Sequence, residues 1–425
     1  MENIYDLIII GLGPAGMRAA EIALSNNLKV LAFEKETIGG CCLNRGCVPT
    51  KAILHSAEIF EEMKKASITG IKTEGEIKPE ISSIIKRKND IVQKLAKAAE
   101  NAFIKKGLEI IKENASVDYK NLSVNGKKAK NIIISTGSEP YELSNLKFNK
   151  KDILSSDDIL NLENLPKSIA IIGSGAIGIE WARIFSSFDV NVTLIEKENS
   201  ILPNFDIDIQ KRILRILKMK KVKVLTGVCA QSYENKILTL DNNEKIETDI
   251  VLVAVGRKRI IPGNLTVNPD LTTNYDNIYA IGDIAAKKML AHTASMHANC
   301  IMNKIAGKEY QITKDNLIPS VIYGSPEAAS IGLIEQETDE SYKIHNLPVS
   351  YLSKSWCDNK TDGFIKIITK DNLIKGAHII SPEASSLICA IQIMMNTNYS
   401  INKIKETVFA HPTYSEGIYE ALKNG

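Results

Sequence analysis

Two stretches of the chain share one pattern: GLGPAGMRAAEIALSNNLKVLAFEK at residues 11–35 and GSGAIGIEWARIFSSFDVNVTLIEK at residues 173–197. Each follows an apolar run rich in β-branched residues, at 7–10 and at 169–172, which is typical of a buried parallel strand. Each continues through G-x-G-x-x-G into an amphipathic helical segment, a second apolar strand and a glutamate. Because the two stretches keep the same offset throughout, the sequence predicts a three-layer α/β fold with two Rossmann-like dinucleotide-binding domains.

The glycines and the glutamate of each unit have separate tasks in binding a dinucleotide. The first glycine makes the tight turn, the second lets backbone N–H groups approach a pyrophosphate, and the third allows close packing of helix on strand. Glu34 and Glu196 end the second strand of each unit, where a carboxylate accepts hydrogen bonds from a ribose diol. A carboxylate at Glu196 would repel the 2′-phosphate of NADP, so the second unit favours NAD, although Lys197 weakens the preference.

The composition excludes several classes of partner. The 425 residues are 44% hydrophobic, and 53 basic against 50 acidic side chains give a formal charge of +3. This near-balance argues against nucleic acid or an anionic membrane as a partner, and no apolar run approaches the roughly 18 residues that span a bilayer. No signal peptide with a basic flank is present. We therefore expect a cytoplasmic protein, and its seven cysteines do not indicate a secreted disulfide framework.

Two cysteines follow the first unit directly, in GGCCLNRGCVPTK at residues 39–51. Positions five apart in a regular α-helix have Cα atoms about 8.7 Å apart, whereas a disulfide needs less than about 7 Å. A bridge between Cys42 and Cys47 therefore requires irregular backbone, for which Gly46 is suited. The nearby proline places Cys47 at a helix N-terminus, where the partial positive charge and Lys51 would lower a thiol pKa. Such a bridge would be redox-active; the alternative is two buried free thiols.

These motifs, taken in order, resemble the pyridine nucleotide–disulfide oxidoreductases, a family of flavoproteins. The resemblance covers nearly the whole chain and includes the dithiol, the Ser-Thr-Gly turn at 135–137, the Val-Gly-Arg turn at 255–257, Ile-Gly-Asp at 281–283, Leu-Ala-His at 290–292 and His-Pro-Thr at 411–413. Within the family, Cys-Leu-Asn-x-Gly-Cys, Glu196 and Gly-Ala-His-Ile at 376–379 are most similar to the dihydrolipoamide dehydrogenases.

The resemblance implies a role for each residue around the dithiol. Cys42 would be the interchange thiol that meets the substrate, and Cys47 would lie against the flavin as the thiolate of a charge-transfer pair. Lys51 and Glu180 would form an ion pair near the flavin N5, where hydride passes to or from nicotinamide. Asp283 would bind the ribityl or phosphate part of FAD.

A base near the C-terminus would complete the chemistry, because only a thiolate attacks a disulfide. Among the six histidines, His411 precedes a proline, which favours an extended conformation at a helix start. Glu416 lies about one turn further on, where a carboxylate orients an imidazole. The alternative from the residues alone is that Thr413 and Glu416 form only a capping box. The resemblance implies that His411 and Glu416 are the acid–base dyad and act across a homodimer.

The resemblance also implies a domain division and a set of cofactor contacts. An FAD-binding domain at 1–140 and an NAD-binding domain at 141–258 are followed by a central segment at 259–314 that completes the FAD domain, and by a C-terminal α+β dimerisation domain at 315–425. The residues expected to bind FAD or NAD are Gly11, Gly13, Pro14, Ala15, Gly16, Glu34, Lys35, Gly40, Lys51, Ala115, Thr136, Gly137, Asp283, Ala291, Gly173, Gly175, Ile177, Gly178, Glu180, Glu196 and Gly256. No metal site is expected.

The implied activity is an FAD-dependent oxidation of protein-bound dihydrolipoamide with NAD. The partner would be a lipoyl domain of a 2-oxoacid dehydrogenase or glycine cleavage complex. One alternative is an NAD(P)H-dependent reductase of another small disulfide, although no clustered arginines suggest a polyanionic thiol. Another is a catalytically inert flavoprotein scaffold, against which the retained dithiol and dyad argue. Two departures from the family pattern stand out: Cys41 replaces a Thr or Val, and Gly324, after Tyr323, replaces a common Thr.

Overall fold

A computed structural model describes residues 4–423, so the outermost residues of the first and last predicted domains lie outside it. The chain forms one seven-stranded sheet and two five-stranded sheets, with two smaller antiparallel pieces. Helices cover the first two large sheets, and the third is antiparallel. The predicted α/β class, with two Rossmann-like units and a C-terminal α+β unit, is confirmed. Within residues 4–423, no helix is both long and apolar enough to cross a bilayer.

The first unit contains the first of the two repeated stretches. Its elements are β1 (Tyr5–Ile10), α1 (Pro14–Ser25), β2 (Val30–Phe33), α2 (Gly40–Arg45), α3 (Cys47–Lys64), α4 (Ile81–Lys105), β3 (Glu109–Ile111), β4 (Val117–Asp118), β5 (Ser123–Val124), β6 (Lys127–Ile134) and β7 (Ser138–Pro140). The parallel strands lie in the order β3-β2-β1-β6, and β5 and β4 extend β6 antiparallel. Five of the six residues of β1 are buried, because helices cover both faces of a parallel sheet.

The second unit repeats this arrangement. Its elements are β8 (Ile153–Leu154), β9 (Ser168–Ile172), α5 (Ala176–Ser187), β10 (Asn191–Glu196), α6 (Ile207–Met219), β11 (Lys223–Thr226), β12 (Ala230–Glu234), β13 (Ile237–Leu240), β14 (Lys245–Glu247), β15 (Ile250–Val253) and β16 (Arg257–Arg259). Its parallel strands lie in the order β11-β10-β9-β15-β8, and β12 to β14 form a small antiparallel sheet. Since β16 pairs with β7, a two-stranded ribbon joins the two units.

The rest of the chain first returns to the first sheet and then forms the third. Its elements are β17 (Ile278–Ala280), α7 (Ala291–Ile305), β18 (Ser320–Ile322), β19 (Glu327–Gly332), β20 (Lys343–Pro348), α8 (Ser353–Cys357), β21 (Phe364–Lys370), β22 (Leu373–Ser381), α9 (Ala384–Asn396), α10 (Ile401–Glu406) and α11 (Glu416–Leu422). Strand β17 pairs in parallel with β6, so it belongs to the first sheet. The third sheet has the order β18-β19-β22-β21-β20.

The three units share one apolar core around α5. A single cluster of buried side chains includes Ile53 on α3, Ile179 on α5 and Phe364 on β21. A buried charged group also crosses the boundary between the second and third units: the Lys366 ammonium lies 2.8 Å from an Asp206 carboxylate oxygen, and both side chains are almost fully buried. The dithiol helix, the second nucleotide unit and the C-terminal sheet are therefore held against one another.

Candidate active site

The dithiol lies at a break between two helices. Helix α2 ends at Arg45, Gly46 has φ −142° and ψ −109°, and α3 begins at Cys47. The backbone between Cys42 and Cys47 is therefore irregular at Gly46, as the sequence predicts, and Cys47 occupies the N-terminus of an 18-residue helix. The partial positive charge of that helix end favours a thiolate at Cys47.

The two thiols differ in acidity. Both are free thiols in this structure, so the bridge between them stays a prediction. The hydrogen bond from Cys42 and the charge of Lys51 together lower the pKa of Cys47 to about 7, against the effect of burial. The same hydrogen bond, together with burial, raises the pKa of Cys42. The pair therefore holds one proton on Cys42 and presents Cys47 as a thiolate near neutral pH.

The third cysteine of the segment is in a different state. Burial raises the pKa of Cys41 to about 11, although the charge of Arg257 opposes the rise and Asp157 adds to it. A thiol with so high a pKa carries little thiolate near neutral pH and is a poor nucleophile. Cys41 is therefore a weak competitor for the reaction of its neighbour.

Lys51 and Glu180 form an ion pair between α3 and α5. The Lys51 Nζ donates to both carboxylate oxygens, at 3.0 and 2.8 Å, and the Glu180 side chain is almost completely buried. Tyr323, just after β18, contacts both partners: its backbone N–H donates to Glu180 Oε1 at 3.1 Å, and its ring lies 4.5 Å from Lys51 Nζ. The sequence identified Lys51 and Glu180 but not this tyrosine, which is 143 residues away from Glu180 along the chain.

The first glycine-rich loop forms a close-packed cradle at the N-terminus of α1. A Cβ atom on Gly11 would lie 2.6 Å from the Ser135 carbonyl oxygen, and one on Gly16 would overlap the Gly11 carbonyl. Gly40 brings the start of α2 equally close, since its Cβ would lie 2.7 Å from the Gly13 Cα. Among the described residues, no side chain caps α1, so its first N–H groups face the loop. This geometry fits a pyrophosphate.

The second loop has the same construction. A Cβ on Gly173 would lie 2.5 Å from the Ala254 carbonyl oxygen, and one on Gly178 would overlap the Gly173 carbonyl. Within residues 4–423, apart from the residues adjacent in the chain, no atom lies within 4 Å of a Cβ on Gly175, so the middle of this loop is open. Helix α5 also has no side-chain cap among the described residues. The second cradle therefore fits a dinucleotide as well.

The two glutamates occupy equivalent positions. Glu34 Oε2 accepts the Leu12 N–H at 2.7 Å, and Glu196 Oε2 accepts the Ser174 N–H at 2.8 Å. Each carboxylate is buried beside its glycine loop, which is where a ribose diol would lie. Burial tends to raise the pKa of Glu196, but hydrogen bonds from the Ser174 hydroxyl and from backbone N–H groups lower it overall. Glu196 is therefore a carboxylate at neutral pH.

The remaining residues expected to contact a cofactor differ in their exposure and in their hydrogen bonds. Asp283, in a short 3₁₀ turn after β17, accepts a hydrogen bond from the Ser138 hydroxyl at 2.5 Å. The Thr136 hydroxyl donates to the Ile260 carbonyl. Lys35 is exposed and Ala115 is half-buried before β4. The others lie in loops or at helix starts: Pro14, Ala15 and Ile177 in first turns, Ala291 at the start of α7, and Gly137 and Gly256 at positive φ.

His411 and Glu416 are in contact at the start of α11. The His411 Nδ1 lies 2.9 Å from Glu416 Oε1, and the imidazole is 68% exposed. The other carboxylate oxygen accepts the Thr413 N–H at 2.9 Å, while the Thr413 hydroxyl accepts the Glu416 N–H at 3.4 Å. Glu416 thus makes the reciprocal hydrogen bonds of a capping box with Thr413 and also contacts the histidine. The acid–base role of the His411–Glu416 pair stays a prediction. Burial tends to raise the pKa of Glu416, but these hydrogen bonds lower it overall.

Two protein-family models match this chain, one over its first two thirds and one over its C-terminal part. The family described as pyridine nucleotide-disulphide oxidoreductase matches residues 5–298, and its dimerisation domain matches residues 318–422. This chain belongs to the pyridine nucleotide-disulphide oxidoreductases. It is 33% identical to the dihydrolipoyl dehydrogenase of Bacillus subtilis, with 99% of this chain and 98% of that protein covered. It is 34% identical to that of Mycoplasma genitalium, with the same coverage.

Solved structures show the same fold at lower identity. LpdA of Mycobacterium tuberculosis superposes with a TM-score of 0.91 at 21% identity, covering 98% of this chain and 99% of that one. The flavoprotein disulfide reductase RclA of Escherichia coli gives 0.87 at 23% identity, covering 99% of both chains. The family confirms the expected class, a flavoprotein disulfide oxidoreductase whose cofactors are FAD and NAD. It also supplies the C-terminal dimerisation domain.

Proposed function

We propose that this oxidoreductase is a dihydrolipoyl dehydrogenase, which oxidises the dihydrolipoamide of a lipoyl domain with NAD as electron acceptor. The observation that carries the proposal is the asymmetric dithiol: Cys42 holds a proton and Cys47 has a pKa of about 7. A substrate with two neighbouring thiols reacts by two successive exchanges at such a pair. The full-length similarity to proteins named dihydrolipoyl dehydrogenase supports this choice of dithiol.

The exchange steps are assigned to Cys42, Cys47 and His411 in the oxidised, bridged form. His411 of a second copy of the chain removes a proton from one substrate thiol, whose thiolate attacks Cys42 and opens the bridge to Cys47. The leaving group is the Cys47 thiolate, which Lys51 and the helix end stabilise. The second substrate thiol then attacks the substrate sulfur of the mixed disulfide and expels Cys42, and its proton passes by way of His411 to the departing Cys42 sulfur. Cyclic lipoamide leaves, and both cysteines are reduced.

The surrounding residues orient the reacting groups and select the electron acceptor. Glu416 orients the His411 ring and stabilises its protonated form, while the buried Glu180 holds Lys51 beside Cys47. Bound FAD supplies the two-electron link between the dithiol and NAD. Because Glu196 is a carboxylate at the end of β10, it repels a 2′-phosphate, and NAD is preferred to NADP. The protein partner is the lipoyl domain of a 2-oxoacid dehydrogenase or glycine cleavage complex.

Turnover with matched substrates tests this proposal. The purified FAD-containing protein is assayed with dihydrolipoamide and NAD, with dihydrolipoamide and NADP, and with NADPH and glutathione disulfide. We expect fast reduction of NAD by dihydrolipoamide, at least about tenfold slower reduction of NADP, and no glutathione reduction. The Cys47→Ser variant should keep its FAD but lose turnover. Fast turnover only with a different disulfide would replace the proposed substrate.

A further inference from the structure

A fully buried arginine lies directly behind the ion pair of the active site. The Arg183 side chain, on α5, is 2% exposed. Its Nη1 donates to the Pro326 carbonyl at 2.8 Å and to the Tyr323 carbonyl at 3.3 Å. Its Nε and Nη2 have no hydrogen-bond partner among residues 4–423. Burying a guanidinium with unmatched donors costs free energy. Its position is therefore not explained by stability alone.

The space for this arginine depends on a glycine that departs from the family pattern. Gly324 has φ +145°, and a Cβ atom there would overlap the Arg183 guanidinium. The threonine that is common at this position would therefore exclude the arginine in its present place. Arg183 and Gly324 form a matched pair, in which the guanidinium occupies the volume beside the missing side chain.

Arg183 holds Tyr323, which contacts both members of the ion pair. The Tyr323 N–H donates to Glu180 and the Tyr323 ring lies under the Lys51 ammonium, at 4.5 Å. The carbonyl of the same residue accepts from Arg183. The backbone of Tyr323 is thus fixed through both its N–H and its carbonyl, and its ring gives Lys51 a cation–π contact.

We propose that Arg183 and Tyr323 are positioning residues that hold the Lys51–Glu180 pair in place beside Cys47. The proposal deepens the proposed function and rests on its assignment of Cys47 and Lys51. Among residues 4–423, titratable groups from four elements or segments interact with the Cys47 thiolate. Cys41 and Cys42 come from α2, Lys51 from α3, Glu180 from α5 and Tyr323 from the segment after β18. Because Lys51 is the cation in this set, a loss of its position should make the Cys47 thiolate less stable.

The pH at which Cys47 becomes reactive measures this effect without turnover. The reduced, FAD-containing protein is treated briefly with iodoacetamide over a range of pH and then digested with trypsin. Cleavage after Arg45 separates Cys47, in GCVPTK, from Cys41 and Cys42, in ETIGGCCLNR. In the unmodified protein the alkylation midpoint of Cys47 is expected near its pKa of about 7.

Two substitutions of the tyrosine separate its ring from its hydroxyl. Tyr323→Phe keeps the ring beneath Lys51 and the backbone N–H, and should leave the Cys47 midpoint unchanged. Tyr323→Leu removes the ring and should raise the midpoint by about half a pH unit or more. An unchanged midpoint in Tyr323→Leu, with normal FAD content and unfolding temperature, would overturn the proposal. An equal rise in Tyr323→Phe would also overturn it, because the hydroxyl would then be responsible.

Substitution of the arginine tests whether it acts through the tyrosine. Arg183→Met should raise the Cys47 midpoint, and Arg183→Lys, which keeps the charge and a donor, should recover most of the normal value. The double variant Arg183→Met/Tyr323→Leu should raise the midpoint by less than the sum of the two single variants, since residues in one network are not additive. A fully additive shift would contradict the proposed coupling. If Arg183→Met does not fold, the comparison of Tyr323→Phe with Tyr323→Leu still tests the proposal. If dihydrolipoamide is not a substrate, the alkylation midpoints still give the answer.

Discussion

The hydrogen bond within the dithiol makes a quantitative prediction. Substitution Cys42→Ala removes the donor that contributes most to the lowered pKa of Cys47, leaving Lys51 and the helix N-terminus to act alone. The pKa of Cys47 should then rise from about 7 toward the ordinary thiol value of 9.0. At pH 7 the thiolate fraction would fall from about one half to between about 1 and 10 per cent, a drop of about 5- to 50-fold.

The long-wavelength absorbance of a thiolate beside bound flavin measures this fraction directly. The FAD-containing Cys42→Ala protein is titrated between about pH 5 and pH 10. The midpoint of the long-wavelength band should lie more than about one pH unit higher than in reduced wild-type protein. Cys41→Ala is the matched control, because Cys41 is adjacent in sequence but does not donate to Cys47; its titration should follow wild type. A Cys42→Ala midpoint that stays near pH 7 would refute the role given to the hydrogen bond.

Three further predictions concern other parts of the molecule. Gly178→Ala should weaken NAD binding by about tenfold or more with normal FAD content, measured by calorimetry; equal loss of both cofactors would contradict separate cradles. Glu416→Gln should lower kcat by about 10²-fold or more with little change in KM, and an unchanged kcat would show that His411 needs no carboxylate. Lys366→Met should lower the free energy of unfolding by about 3–5 kcal/mol in urea, because it removes the ammonium group that balances the charge of the buried Asp206 carboxylate. A change below about 1 kcal/mol would contradict this.

The stability of the protein in acid tests the buried Asp206 carboxylate, the partner of Lys366. Burial tends to raise the pKa of Asp206, but His378, Lys366 and backbone N–H groups lower it overall. A carboxyl whose pKa is lower in the folded chain stabilises the fold above its unfolded pKa, and this contribution is lost as the pH falls through the folded value. The unfolding temperature should therefore fall less steeply below about pH 4 in Asp206→Asn than in wild type. An identical acid slope would contradict the assignment.

Local pattern was sufficient to predict the two nucleotide units and the dithiol. The glycines, the strand before them and the glutamate after them lie within about thirty residues, and Gly46 marks the helix break in the same short segment. Each of these features depends on backbone sterics and on chain-local geometry. The structure contains the glycine-rich loop twice, with Gly16 and Gly178 packed against equivalent carbonyls.

The contacts behind the active site could not be predicted in this way. Arg183, Tyr323 and Gly324 come from segments about 140 residues apart and share no periodic pattern. The same is true of the buried Lys366, which meets Asp206 across two units. Side chains brought together by packing between domains leave no local signal in one sequence. Only the folded chain brings Tyr323 against Lys51 and Glu180, with Arg183 on the Tyr323 carbonyl.

In the proposed mechanism, electrons enter the protein through a bridge between Cys42 and Cys47. Trypsin digestion of the oxidised protein without reductant should yield the peptides ETIGGCCLNR and GCVPTK joined by a disulfide, with Cys41 free. Anaerobic addition of about one equivalent of dihydrolipoamide should convert the joined peptides to free thiols and produce one equivalent of lipoamide. Joined peptides that persist with excess dihydrolipoamide, or a bridge that uses Cys41 in place of Cys42, would contradict the account.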